Sequence, residues 1–156
     1  MPKPFIRLAT PHDTNTLAKL FDAYRQFYEQ APDLPLAQRF IAERLKQQDS
    51  VIFVAADNEH IVGFCQLYPS FCSVIATRIA VLYDLFVDAN TRKTGTGRAL
   101  MLTAQQYAAD NGFARLDLST AKTNLPAQAL YESLGWEKDD IFFTYSKEIV
   151  VTAKKQ

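Results

Sequence analysis

The hydrophobic period of the chain switches from helical to extended at Val51, and that switch confines it to a mixed α/β class. Ahead of the switch, Thr10-Pro11-His12-Asp13 reads as a helix start: a threonine cap, a proline at the first position and an acid at the third. Leu17, Phe21, Tyr24 and Tyr28 follow at helical spacing and make one apolar stripe. Ala31 to Pro35 breaks that helix, and Leu36 to Gln48 predicts a second, with Phe40, Ile41 and Leu45 on its inner face. After the switch, Val51 to Ala56 and Ile61 to Tyr68 are apolar, partly β-branched runs separated by Asp57-Asn58-Glu59, the pattern of a hairpin. Ala80 to Val87 (AVLYDLFV) is a third strand, apolar on both sides except at Tyr83 and Asp84, so it belongs in the middle of a sheet.

The remainder alternates. A loop from Asp88 to Gly97 leads into a helix with Leu100, Ala104, Tyr107 and Ala108 inward, ended by Asn111-Gly112. Arg115 to Thr120 predicts a short strand. Pro126 opens a last helix with the stripe Ala127, Leu130, Tyr131 and Leu134, stopped by Gly135, and Ile141 to Val150 closes the chain as a strand. The expected architecture is a mixed α/β sandwich in one domain over residues 1–156, without repeat, linker or low-complexity stretch. Disorder is expected only from Thr152 to Gln156.

Charge and cysteine usage narrow the partners. Seventeen basic and seventeen acidic residues cancel, so no global field draws the chain to nucleic acid or anionic lipid, and any anion site must be local. Cys65 and Cys72, without nearby cysteine or histidine partners, make no zinc pattern, and no metal is expected. They read as reduced thiols, with a disulfide or a reactive thiol as the other options. His12 and His60 read as surface turn residues, and neither pairs with a serine or cysteine for nucleophilic catalysis. No apolar run has signal-peptide character or spans a membrane, which gives the expectation of a cytoplasmic protein.

The local anion site is legible. Of five glycines, Gly95 and Gly97 fall in Arg92-Lys93-Thr94-Gly95-Thr96-Gly97-Arg98, which follows a buried strand and opens a helix. Free N–H groups and the helix dipole favour an anion there, glycines admit a diphosphate close to the backbone, and Arg92, Lys93 and Arg98 add charge. By itself the pattern is also that of a solvated basic loop. It lacks the lysine-serine or lysine-threonine ending of a nucleoside-triphosphate loop and the third glycine of a dinucleotide fingerprint.

The run LYDLFVDANTRKTGTGRALM resembles the central motif of the GNAT superfamily of acetyl-CoA-dependent N-acetyltransferases: a strand, Arg/Gln-x-x-Gly-x-Gly/Ala, then a helix. Arg92, Gly95 and Gly97 match without gaps. Asn124-Leu125-Pro126-Ala127-Gln128-Ala129-Leu130-Tyr131-Glu132-Ser133-Leu134-Gly135-Trp136 is similar to the family's next motif, an asparagine and a helix with an aromatic and a terminal glycine. With Ile6 to Thr10 and the αα pair, the resemblance covers nearly the whole chain.

The resemblance implies a GNAT-like, mostly antiparallel sheet flanked by helices, with splayed central strands, and acetyl-CoA as cosubstrate without a metal. The pantetheine arm would pair with Leu85, Phe86 and Val87, with the N–H of Leu85 toward the acetyl carbonyl. Arg92, Lys93, Thr94, Gly95, Thr96, Gly97 and Arg98 would hold the pyrophosphate, and Asn124 the pantetheine. Tyr131 matches the tyrosine that protonates the departing thiolate, although its helical stripe also suits core packing. Asp84, a carboxylate in an apolar strand, is the candidate base, or else a structural acid satisfied by backbone N–H groups. Spermidine/spermine acetyltransferases have a similar strand with a second acid where this chain has Tyr83, which counts against polyamine specificity. Tyr24, Tyr28 and Glu29, together with Tyr83, could border the acceptor, by cation–π and charge contacts, or simply pack the core.

The acceptor implied is a primary amine of a small molecule: polyamine-like, an amino acid or an aminoglycoside, attacking directly. The alternatives are a protein or peptide acetyltransferase acting on lysine or an N-terminus, a non-catalytic acyl-CoA-binding module, and a nucleotide-binding protein. A homodimer is common in the family.

Overall fold

A computed structural model describes residues 3–58 and 60–152. They fall into two compact units, Met1–Ser119 and Thr120–Gln156. The first unit holds a five-stranded sheet in the order β1 (Phe5–Leu8), β2 (Val51–Asp57), β3 (His60–Cys72), β4 (Thr77–Val87), β5 (Leu116–Asp117). The first three pairings are antiparallel and β4–β5 is parallel. Helices α1 (Thr14–Phe27) and α2 (Leu34–Gln47) precede β2, and α3 (Thr96–Asp110) follows β4.

Strand alternation assigns the faces. Phe64, fully buried, packs with Leu17, Phe21 and Ile41 of α1 and α2. Its neighbour Cys65 points the other way and lies 3.9 Å from the Leu100 carbonyl of α3, whose Leu100, Met101, Ala104 and Ala108 are buried. The αα pair therefore covers one face and α3 the other. Gly63 keeps α3 close: a Cβ there would meet the Phe86 carbonyl at 3.2 Å and Leu100 at 3.3 Å. Each face needs its own apolar stripe, which explains why helical and extended periods alternate along the chain.

Several boundaries differ from expectation. Pro11–Asp13 is a single 3-10 turn ahead of α1, with Thr10 at its N-cap as expected and a capping box in which the Asp13 carboxylate accepts the Thr10 N–H at 2.7 Å; the same carboxylate takes a bidentate pair from Arg7 at 2.7 and 2.9 Å. Helix α2 starts at Leu34 because Asp33 accepts the Leu36 N–H at 3.1 Å, which puts Pro35 inside the first turn instead of in the break. Glu59 of the hairpin turn lies outside the described residues, as do residues 153–156 of the expected disordered tail.

The second unit contains α4 (Leu125–Ser133), with Pro126 in its first turn and Gly135 beyond its end at φ 88°. The strand expected from Ile141 to Val150 does not form, and those residues are exposed. Their β-branched and aromatic content favours a strand, but a strand exists only as a ladder, and the described part of this unit offers no second strand to complete one. The strand expected from Arg115 to Thr120 shortens to Leu116–Asp117. Among the described residues no helix is long and apolar enough to cross a membrane.

Hydrogen bonds from Arg7 hold the Asp13 carboxyl below its ordinary range, so the stability it contributes is present above pH ~4 and lost as pH falls through the lowered value. Asp13→Ala should lower Tm at pH 7 by roughly 2–8 °C, for about 1–2 kcal/mol of cap and ion pair. The deficit should shrink below pH 4 in thermal scans.

Candidate functional site

The site begins with one extra residue. Between β3 and β4 the register runs Leu67↔Leu82 and then Gln66↔Asp84, so Tyr83 is left over as a bulge. Leu67 and Gln66 are adjacent and face opposite ways, so Leu82 and Asp84 must do so too. The bulge thus turns Asp84 to the αα face, where an unbroken strand would have sent it with Leu82 toward α3.

It also reverses which backbone groups point outward. The Ala80 N–H donates to the Arg115 carbonyl at 3.1 Å, toward β5, whereas the Asp88 N–H donates to the Val62 carbonyl of β3 at 2.8 Å. Residues eight apart share an edge in a regular strand, so the bulge has switched it. Beyond it, the N–H and C=O of Leu85 and Val87 face away from β3. β5 pairs with β4 only at Ala80 and Val81, so this stretch is a splayed edge within the first unit. The Val87 carbonyl accepts from Arg92 Nε at 3.0 Å.

Around Asp84, which is 4% exposed, stand aromatic side chains. Tyr24 of α1 is 5.6 Å from Phe64, 5.5 Å from Phe86 and 5.2 Å from Tyr28, ring to ring. Its hydroxyl lies 3.4 Å from the Tyr83 carbonyl. Tyr83, 67% exposed, sits edge-on to Tyr68 at 5.7 Å. Gln66, fully buried, donates to Asp84 Oδ2 at 2.8 Å and accepts from the Ser50 hydroxyl at 2.7 Å. Burial raises the Asp84 carboxyl above the ordinary range, and hydrogen bonds from Gln66 and Tyr24 pull it part of the way back. Burial and the Asp84 charge push the Tyr24 phenol up, and push Tyr68 to about 12.

The glycine loop leads directly from this strand. Lys93 and Gly95 both adopt left-handed conformations, φ 67° and 84°, which Gly95 takes without steric cost. The Thr94 hydroxyl donates to the Thr91 carbonyl at 2.6 Å and is 2.7 Å from that of Thr96, which fastens the loop to the first turn of α3. That helix begins at Thr96, one residue before Gly97, and its first turn presents N–H groups without intrahelical acceptors. Lys93 and Arg98 are exposed beside it. Arg92 reaches the other way: its guanidinium lies 5.4 Å from the Phe86 ring and 6.0 Å from Phe27.

Comparison with known proteins gives the family. Residues 16–136 match the model of the acetyltransferase (GNAT) family. The chain belongs to that family. It is 44% identical over 140 residues to the uncharacterized N-acetyltransferase YhfO of Bacillus subtilis, across 90% of this chain and 94% of that one. A probable acetyltransferase of Haemophilus influenzae is 31% identical, across 74% and 88%. The crystal structure of a probable acetyltransferase superposes with TM-score 0.87 at 35% identity, covering 95% of this chain and 99% of that one. The GNAT chain is accordingly an N-acetyltransferase, of a family that uses acetyl-CoA, and its sheet is the mostly antiparallel, helix-flanked form expected from the motifs.

Of the residues singled out by sequence, Tyr24, Tyr28, Tyr83, Asp84 and Phe86 converge on one face, while Leu85, Val87 and residues 92–98 form the adjoining edge and loop. Glu29 does not join them: it lies exposed past α1 at φ 66°, and among the described residues no ion pair or side-chain hydrogen bond ties it to the cluster. Asn124 and Tyr131 belong to the second unit. There Asn124 caps α4 by accepting the Ala127 N–H at 3.2 Å, and half-buried Tyr131 lies 6.2 Å from Trp136, ring to ring. Gln66, Ser50 and Tyr68 were missed by the sequence reading. The signal for Gln66 was a lone amide inside the apolar run Phe64 to Leu67. No group of three or more metal-ligating side chains gathers among the described residues.

A buried carboxylate with a raised pKa costs stability whenever it ionises, so that cost is absent at acid pH and grows as pH rises through the raised value. Asp84→Asn keeps the shape and an acceptor for Gln66. It should raise Tm at pH 8, by roughly 2–4 °C for each kcal/mol regained. The gain should vanish near pH 4, and a lower Tm at pH 8 would mean that the ionised carboxylate holds the strand.

Proposed function

We propose that this enzyme transfers acetyl from acetyl-CoA to a primary amine of a small molecule, by direct attack, with Asp84 as base and Tyr131 as acid. The observation that carries the reading is the buried, aromatic-ringed carboxylate at the β4 bulge, next to an outward backbone edge that runs into the cationic glycine loop. The chain fits the cosubstrate chemically: first-turn N–H groups of α3, Lys93 and Arg98 would hold the pyrophosphate, with Arg92, Thr94, Gly95, Thr96 and Gly97 shaping the loop. Leu85 and Val87 would pair with the amides of the pantetheine arm beside Phe86, and the Leu85 N–H would stabilise charge on the acetyl oxygen. Asn124 would support the same arm. The bound thioester supplies an activated acetyl group and a good leaving thiolate.

The acceptor arrives as an ammonium ion. Its pKa of about 10.4 makes the neutral form cost roughly 4–5 kcal/mol at pH 7. Tyr24, Tyr28 and Tyr83 would attract the cation through their ring faces and Asp84 through its charge. A base whose pKa lies above the ordinary carboxylate range takes the amine proton more readily. The ammonium ion first gives one proton to solvent. As the C–N bond forms and the C–S bond breaks, Asp84 accepts the second proton that leaves nitrogen, directly or through water, while Tyr131 donates its own to the departing sulfur and regains one from Asp84 through solvent after product leaves. A carboxylate so deeply buried suits an unbranched primary amine, which supports a small alkylamine as acceptor. A cytoplasmic location is part of this reading.

A panel of polyamines, amino acids, aminoglycosides and lysine peptides, assayed for thiol release, tests it. At least one small amine should turn over, and Tyr131→Phe should lower kcat about 100-fold while changing acetyl-CoA affinity only a few-fold. Release with lysine peptides alone would move the acceptor to proteins, and binding without release from any amine would make the chain a carrier of acyl-CoA.

A further inference from the structure

Gln66 is a fully buried polar side chain in a strand whose neighbours Phe64, Cys65 and Leu67 are apolar and buried. Burying an amide is costly unless it is satisfied, and an apolar residue of the same volume would serve the core better. Its two ends are both committed: Nε2 donates to Asp84 Oδ2 at 2.8 Å and Oε1 accepts from Ser50 at 2.7 Å. The serine hydroxyl gives the amide its direction, because Oε1 turned toward Ser50 leaves the NH₂ toward the carboxylate. The pair is also directly opposed across the ladder, a juxtaposition that exists only because the bulge at Tyr83 turns Asp84 to this face.

We propose that Gln66, oriented by Ser50, is the positioning residue of the base: it ties Asp84 Oδ2 and leaves Oδ1 to face the acceptor amine. The inference rests on the reading of Asp84 as base and deepens it. A neutral donor suits the task. An arginine or lysine at this position would neutralise the carboxylate and weaken it as a base, whereas an apolar residue would shift it toward the protonated form. An amide stabilises the ionised form through one hydrogen bond and leaves its charge in place. Other titratable groups around Asp84 are Tyr24 on α1, Cys65 and Tyr68 on β3 and Tyr83 on its own strand, while Arg44 and Asp49 act on Tyr68. Cys65 and Tyr68 keep their protons to about 12 and Tyr24 is pushed up too, so none of these three accounts for a limb on the acid side.

The pH profile of kcat/KM for the best amine, measured on wild type, Gln66→Met, Ser50→Ala and Asp84→Asn, decides it. Gln66→Met keeps the volume and removes the donor, which favours the neutral acid and should move the acid limb up by about one pH unit. Below that limb kcat/KM should fall about tenfold, with the Kd for acetyl-CoA unchanged. Ser50→Ala, a milder change at the strand entrance, should move the limb the same way by less and serves if Gln66→Met folds poorly. A limb that disappears in Asp84→Asn but stays in place in both other variants would make Gln66 a packing residue and overturn the inference alone. A limb that persists in Asp84→Asn would overturn the base itself and the role of Gln66 with it.

Discussion

The bulge at Tyr83 is the constraint on which the rest of the site depends. Strand geometry has a period of two, so one inserted residue exchanges both the faces of the side chains and the edges of the backbone groups beyond it. Both exchanges matter here. One carries Asp84 from the α3 side to the αα side, where Gln66, Tyr24 and Tyr68 surround it. The other turns the N–H of Leu85 and Val87 to the edge where β5 has ended. A single irregularity therefore sets at once which side chains face α1 and α2 and which backbone groups face the open edge, and it aligns the two along one strand.

The same device explains why an unfavourable group is tolerated. A carboxylate at 4% exposure is expensive, and its partners are neutral: an amide and a phenol. The energy that offsets it comes from elsewhere, from the apolar cluster of α1 and α2 around Phe64 and from α3 packed against Gly63. Arg92 joins the two halves. Its Nε holds the Val87 carbonyl and its guanidinium lies over Phe86 and Phe27, so the start of the glycine loop is anchored to the aromatic cluster beside Asp84. Lys93 and Arg98 are left to the loop itself.

Much of this was legible in the sequence, for identifiable reasons. Helical stripes named α1, α2 and α3, and Gly95 with Gly97 after an apolar strand located the loop, because those signals are local. Asp84 stood out as a charge in an apolar run. The bulge did not, since a register shift depends on the partner strand and leaves no mark in the composition of either. Gln66 was overlooked for the same reason: its meaning lies in what faces it. Ile141 to Val150 shows the converse error, where propensity named a strand that has no ladder to join within its unit. Thr10 and Asp13 cap the first turn as the pattern gave it, whereas Asp33 makes a cap inside what read as a break, since a short acid just ahead of a helix start accepts its free N–H groups.

The central claim, that the bulge turns one set of backbone groups outward for the coenzyme, is tested most directly by amide hydrogen exchange resolved at single residues. Without ligand, the Leu85 and Val87 amides should exchange fast and the Phe86 amide slowly, since Phe86 faces β3. Saturating acetyl-CoA should slow Leu85 and Val87, by roughly tenfold or more, and leave Phe86 unchanged. A Leu85 amide already protected without ligand, or one that acetyl-CoA does not protect, would contradict the account.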